Sequence, residues 1–391
     1  MAEKIIKIFF LFLLFLFPFG EIARFDLGNN IAVRVLDVAI GLVLVAWLLD
    51  KEKKKRFQKK LVNPILFFTG ALFVSLFLNM KNYQGSEIII SSLYFLRWIV
   101  YAGLYFVVAD FDIKFKSKIR ELLVVIGAMV VVLGYVQYFL YPNLRNLYYL
   151  GWDEHLYRMF STFLDPNFAG TFFVLYLLFL SGLFWNSYKE KQYRSIQIYG
   201  GLFVLTFCAI LLTFSRGAFI MFFVSMGVFL MQIKKARLLF GIAVLSIIFL
   251  GLVSRFNQSE GTNLFRTTSN LARIESVNRA ITIFLDNPIF GVGFNNYRYA
   301  KLRYGFTSKS KYEDHAGAGT DNSFLFVLAT TGIIGFSAYV YLWYSIVRNL
   351  RNIVITSSLV GLFVNALFIN SLFYPFIMAW VWILLGITEK T

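Results

Sequence analysis

The chain is punctuated by apolar stretches of bilayer length, and no other property restricts its fold as severely. A hydrocarbon core of about 30 Å takes roughly 20 apolar residues in a helix, and only helices or closed barrels satisfy their backbone groups there. About twelve such stretches occur, near 5–19, 31–49, 62–79, 88–109, 121–141, 167–185, 198–213, 217–231, 238–253, 323–347, 353–369 and 373–388. The expected class is therefore all-α: a single polytopic membrane helix bundle of about 12 transmembrane helices. Several runs are short, which implies tilting or local thinning of the bilayer. The sequence is 59% hydrophobic and 15% charged, whereas soluble domains hold about 45–50% apolar and about 25% charged residues. Residues 5–19 follow Lys4 and Lys7 as a secretory signal would, but Phe17-Pro18-Phe19-Gly20-Glu21 offers no small-residue cleavage pattern, so a spanning helix is expected. The one cysteine, Cys208, excludes an intramolecular disulfide framework.

Basic residues near helix ends resist translocation, so their distribution sets orientation. The cluster KEKKKRFQKK at 51–60, and those at 114–120, 189–194, 234–237 and 348–351, fall on one side if the N-terminus is cytoplasmic. Both termini are then cytoplasmic. The net charge of +17 is read as this orientation signal, not as a nucleic-acid surface. Residues 254–322 become one large periplasmic loop, with nine basic and six acidic residues, and 142–165 a smaller one rich in Tyr and Asn. These loops hold both histidines, His155 and His315. A loop that long between spans 9 and 10 carries function or a small fold of its own.

Three constellations carry chemistry. Leu212-Thr213-Phe214-Ser215-Arg216-Gly217-Ala218 is a polar hinge between two apolar runs. Arg216, beside Ser215 at a helix N-terminus, makes an anion site; the plainer reading is a turn whose Arg snorkels to lipid phosphates. Next, RIESVNRAITIFLDNPIFGVGFNNY (273–297), with Leu271 just before it, places Leu271, Ile274, Val277, Ile281 and Phe284 at helical spacing. An amphipathic helix over 271–286 is expected on the bundle or the membrane surface, ended by Asn287-Pro288 and turned by Gly291-Val292-Gly293. Arg273 and Arg279 project from its polar side; Glu275 is four residues from Arg279, a spacing that makes an ion pair, while Arg273 has no such partner. Third, Asp314-His315 precedes Thr320-Asp321-Asn322-Ser323 at the mouth of the tenth span, where a carboxylate or imidazole can act as general base and the same residues can cap a helix.

Weaker signals remain. Arg97 lies near mid-depth of the fourth span, where it must face a partner or a wet cavity; Asn167 and Asn322 are further candidates for lining such a cavity. Arg34 and Asp37, three apart, are expected to pair. Asp110 with Asp112, and Asp153, Glu154 and His155, are poor candidates for holding a cation, and no metal site is expected.

Taken in order, the SRGA turn, Arg273 with PIFGVGFNNY, and DNSFLFVLATTGIIGF entering a span resemble the O-antigen ligase and polymerase superfamily. Phe160-Ser161-Thr162-Phe163 followed by Asp165-Pro166-Asn167 is similar to that family's Gly/Ser-Thr-Phe and Pro-Asn pattern. These blocks cover about 158–340; the first five spans match only in hydropathy and topology. The resemblance implies a metal-independent, inverting glycosyltransferase without cofactor in the bacterial inner membrane. Such an enzyme moves a glycan from undecaprenyl diphosphate to a sugar hydroxyl at the periplasmic face. Arg216 and Arg273, with Ser215 and Arg279, would hold the diphosphate. The implied partners are the lipid-linked donor, a glycan or lipid A-core acceptor, membrane lipids, and a chain-length regulator or flippase. Family ligases present His-Asn where this chain has Asp321-Asn322, so the base is Asp321 or His315, and the change favours polymerase over ligase. A transporter or flippase, with Arg97 and Arg216 lining an anion pathway, is the reading from another class.

Overall fold

The computed structural model describes residues 2–28, 31–50, 59–253, 259–264, 268–307 and 319–389. Fourteen α-helices run along these residues. Twelve of them occupy the apolar stretches: α1 (Ala2–Leu16), α2 (Val35–Leu49), α3 (Val62–Leu78), α4 (Gly85–Asp110), α5 (Ile113–Leu140), α6 (Pro166–Lys189), α7 (Tyr193–Leu212), α8 (Arg216–Gln232), α9 (Leu238–Val253), α12 (Ser323–Asn349), α13 (Ile353–Asn365) and α14 (Pro375–Thr388). The other two, α10 (Thr268–Asp286) and α11 (Tyr297–Arg303), lie in the long polar loop. The segment 3–23 and α4, α5, α6, α7 and α12 are long and apolar enough to cross a membrane; the other six apolar helices are shorter.

Boundaries moved where caps decided them. Helix α5 starts eight residues before the apolar run because Asp112 accepts the N–H of Phe115 at 2.8 Å, an N-cap that the lysines around it concealed. Helix α2 starts late because residues 32–34 instead pair as a strand, β2 (Ala32–Arg34), with β1 (Arg24–Asp26) in a small antiparallel hairpin.

The expected Arg34–Asp37 pair does not form. Arg34 is the extended residue before α2, so its side chain leaves the helix and its Nε donates to Glu21 at 2.8 Å. Asp37 accepts the Arg34 backbone N–H at 3.0 Å and takes Arg97 as its cation, at 2.7 Å, with the Tyr101 hydroxyl donating at 2.7 Å. An isolated arginine in the membrane costs about 2.5–3.5 kcal/mol, and this carboxylate offsets that cost.

Helix α12 is broken. Gly332 has φ 62° and ψ −165°, and a Cβ there would lie 2.3 Å from the carbonyl oxygen of Ile289. The loop after α10 hooks into this break. The N–H groups of Val292 and Gly293 donate to the carbonyls of Ala329 (3.1 Å) and Thr330 (2.9 Å), and the Ile333 N–H returns a bond to Pro288 (2.8 Å). These are the backbone groups that a kink would otherwise leave unmet in an apolar setting. Gly291 (φ 63°) and Gly293 (φ 98°) make the hook, and Asn79, at the end of α3, donates its amide to the Gly291 carbonyl at 3.1 Å.

Of the stripe expected on α10, Val277 and Phe284 are half-buried and the rest faces away from the bundle. Ala280 and Ile283 are fully buried, whereas Leu271, Ile274 and Ile281 are exposed. Half-buried Arg273 and Ser276 share the bundle-facing side, so the polar functional groups point inward and most of the apolar stripe outward.

Candidate functional site

Three helix N-termini meet the long loop at one end of the bundle. Each is capped by a side chain whose sequence neighbour carries chemistry. Asp165 caps α6, accepting from the N–H of Asn167 (2.6 Å) and Phe168 (3.2 Å). Ser215 caps α8 and donates its hydroxyl to the Asn167 Oδ1 at 2.9 Å, which ties the two helix starts together. Asn322 caps α12, accepting from Phe324 (2.9 Å) and Leu325 (3.0 Å), while its amide donates to Leu367. Asn167 and Asn322, expected as cavity-lining residues, are thus held by local bonds, and capping falls to Asn322, leaving Asp321 out of the helix.

Arg216 is the first residue of α8 and half-buried; its Nη1 donates to the Leu264 carbonyl of the long loop at 3.5 Å. Arg273 approaches from α10. Burial, and then the like charge of Arg216, lower the pKa of Arg273, against the attraction of Asp321 and Asp165. The two arginines and two carboxylates therefore share one electrostatic neighbourhood. Among the described residues, no ion pair joins Arg273 to either carboxylate.

Asp321 is fixed through its backbone, whose N–H donates to Ser276 Oγ (3.2 Å) on α10; Ser276 donates in turn to Thr320 Oγ1 at 3.1 Å. Its carboxyl reaches solvent, yet the protein crowding around it raises its pKa. The negative charge of Asp165 adds to that rise, and Arg273 and Lys301 oppose it. Burial, followed by the charges of Arg298 and Arg279, pushes Lys301 down to about 8.

Arg279 pairs with Glu275 one turn earlier. Arg97 is bound to Asp37 and is not brought to this site. His315 lies outside the described residues. The acidic pair near 110 is otherwise occupied: Asp110 accepts from Trp47 Nε1 (2.9 Å) and pairs with Lys59 (3.3 Å), and Asp112 pairs with Lys7. Of the loop trio, Glu154 pairs with Arg145 and His155 faces Asp165. No group of three potential metal ligands occurs among the described residues.

The sequence reading missed Arg158. It is buried, its Nε donates to the Thr213 carbonyl at 2.9 Å and its Nη2 to Phe214 at 3.5 Å, and its charge reaches Asp165. Those carbonyls belong to the hinge before Ser215, where Phe214 has φ 47°. Arg158 thus braces the strained turn from which Arg216 projects.

This geometry spans the region that comparison with known families singles out, since a family model described as O-antigen ligase matches residues 201–340. That segment is thus similar to the O-antigen ligase family. The match points to function of the O-antigen ligase or polymerase type in a membrane protein. It takes in the Ser215–Arg216 hinge, Arg273, the hook, Asp321 and the break in α12; Arg158 and Asp165 fall before it. Comparison with curated proteins gives no match.

Proposed function

We propose that this chain is an integral membrane glycosyltransferase that moves a glycan from undecaprenyl diphosphate to a sugar hydroxyl at the periplasmic face, acting as a surface-polysaccharide polymerase. The observation that carries the proposal is that Arg273 feels the charges of both Asp321 and Arg216, while no ion pair joins it to Asp321 among the described residues. Departure of a diphosphate concentrates negative charge, and fixed guanidinium groups in a water-poor site stabilise it. Asp321, its pKa raised, takes the proton of the acceptor hydroxyl as that oxygen attacks the anomeric carbon from the face opposite the leaving group. Inversion follows, and no metal is called on. In this reading all twelve apolar helices cross the inner membrane, both termini are cytoplasmic, and the end holding α10 is periplasmic. Ser215 positions the hinge, and Arg279, paired with Glu275, is a further cation for the diphosphate.

The test supplies purified protein with lipid-linked repeats, with and without lipid A-core, and reads the products on a gel. A ladder on the carrier lipid is the expected result. Arg216→Ala and Arg273→Ala are each expected to lower it about 10²- to 10³-fold while leaving folded, extractable protein. Unimpaired transfer by both variants overturns the mechanism. The description of the matched family favours a second reading, a ligase, and modified core in the same assay would establish it.

A further inference from the structure

The segment leading into α6 carries a pair of groups that the mechanism above leaves unused. Asp165 devotes one carboxylate oxygen, Oδ1, to its helix cap. Its other oxygen, Oδ2, lies 4.0 Å from Nε2 of His155. A cap needs no histidine, and Asn or Ser would serve as well, so the helix does not explain this second contact. Catalytic hydrogen bonds are often this long before substrate binds.

The backbone around the pair is held against its own preference. His155, Tyr157, Ser161 and Leu164 all have φ between 51° and 56°, a region that costs a non-glycine residue on the order of 1 kcal/mol or more. Bonds to the rest of the site keep them there. The Tyr157 N–H donates to Pro142 (2.9 Å) and the Met159 N–H to Leu212 (2.9 Å), and Arg158 grips the hinge carbonyls. The strain thus fixes His155 beside Asp165, next to the turn that carries Arg216.

We propose that His155, held by Asp165, donates a proton to the departing diphosphate; this rests on the transferase reading. The pair stands on the side of the arginines. Arg158 acts on Asp165, Arg273 feels its charge, and Asn167, two residues on, is bonded to Ser215 beside Arg216. Asp321 feels Arg273 as well, from the side where Ser276 holds its backbone and Lys301 adds a second positive charge. As the bond from the anomeric carbon to the diphosphate breaks, its electron pair goes to the phosphate oxygen, which takes the proton from His155. The acceptor oxygen bonds to the anomeric carbon and gives its proton to Asp321. Exchange with water then restores both groups. Asp165 is a positioning residue in this scheme.

The experiment measures transfer by the purified full-length protein for His155→Gln, Asp165→Asn and the double variant. Asparagine keeps the cap, so melting temperatures are expected to match the wild type. Each single change is expected to lower kcat about 100-fold with KM for the donor unchanged, and the double variant to be no slower than the worse single, because the groups act as a unit. A donor with a more acidic difluoromethylene diphosphonate leaving group is expected to shrink the His155→Gln penalty, which a merely structural role would not do. Wild-type turnover by Asp165→Asn, or losses that multiply in the double variant, would overturn the proposal. No transfer by the wild-type chain would instead overturn the transferase reading, and the proposal with it.

Discussion

Two clusters of charge are built into this bundle, and they are made differently. In the first, Glu21 pairs with Arg34 and Asp37 with Arg97 at 2.7–2.8 Å, and Arg24 stands 4.0 Å from Glu21. In the second, Arg273 feels the fields of Asp321, Arg216 and Asp165, yet no ion pair joins Arg273 to either carboxylate among the described residues. A matched pair neutralises the cost of its own burial and has little left for a ligand. Charges held just apart keep their potential for something that arrives later. The contrast separates an arginine that secures a fold from one that serves a site.

The largest expected effect is on the matched cluster. Asp37→Ala strands Arg97, and removing one partner of a buried pair costs about 3–5 kcal/mol; loss of extractable protein on size-exclusion chromatography is the measurement. Arg273→Ala should do the opposite, lowering transfer about 10²- to 10³-fold, as for a removed transition-state donor, with the melting temperature preserved. If Arg273→Ala unfolded the protein and Asp37→Ala did not, the contrast would be reversed.

Gly332→Ala probes what holds the second cluster in register. The strained φ alone costs roughly 1–3 kcal/mol, and the clash with Ile289 adds to it, so activity is expected to fall further than in a substitution at an exposed helical position such as Ile333. Asn322→Ala removes the cap of α12 and should cost about 1 kcal/mol, seen as a lowered melting temperature with kcat nearly retained. The smallest effect concerns pH. Lys301 holds the pKa of Asp321 down against burial, so Lys301→Met lets that pKa rise further. Asp321 then loses its proton only at higher pH, and the acidic limb of the rate profile moves upward; a downward move would show that Lys301 acts otherwise.

How far each cluster could be read from sequence follows from how local it is. The apolar helices were legible because hydropathy over a bilayer length needs no partner. The hinge at Ser215–Arg216 and the helix bearing Arg273 were legible for a similar reason, since caps and helical spacing are written within a few residues. The Arg34–Asp37 expectation failed because i,i+3 spacing presumes that both residues are in the helix, and Arg34 stands outside it in an extended conformation. Nothing near Arg97 in sequence marks Asp37, 60 residues away, as its partner. Arg158 escaped notice because its partners are hinge carbonyls 55 and 56 residues on. Which of its two allowed surfaces the stripe of α10 faces was hidden too, because periodicity locates a stripe without saying what it faces.

The break at Gly332 has a mechanical consequence. Helix α10 runs through Asn287 into the hook, and the hook is bonded to the upper segment of α12, so the guanidinium of Arg273 and the carboxylate of Asp321 ride on a single rigid block. The part of α12 beyond Gly332 is tied to the same block, since the Ile333 N–H bonds to Pro288 and Ala338, Tyr339 and Leu342 are fully buried. Spacing between the two side chains is thereby insulated from the dimensions of whatever bilayer holds the protein.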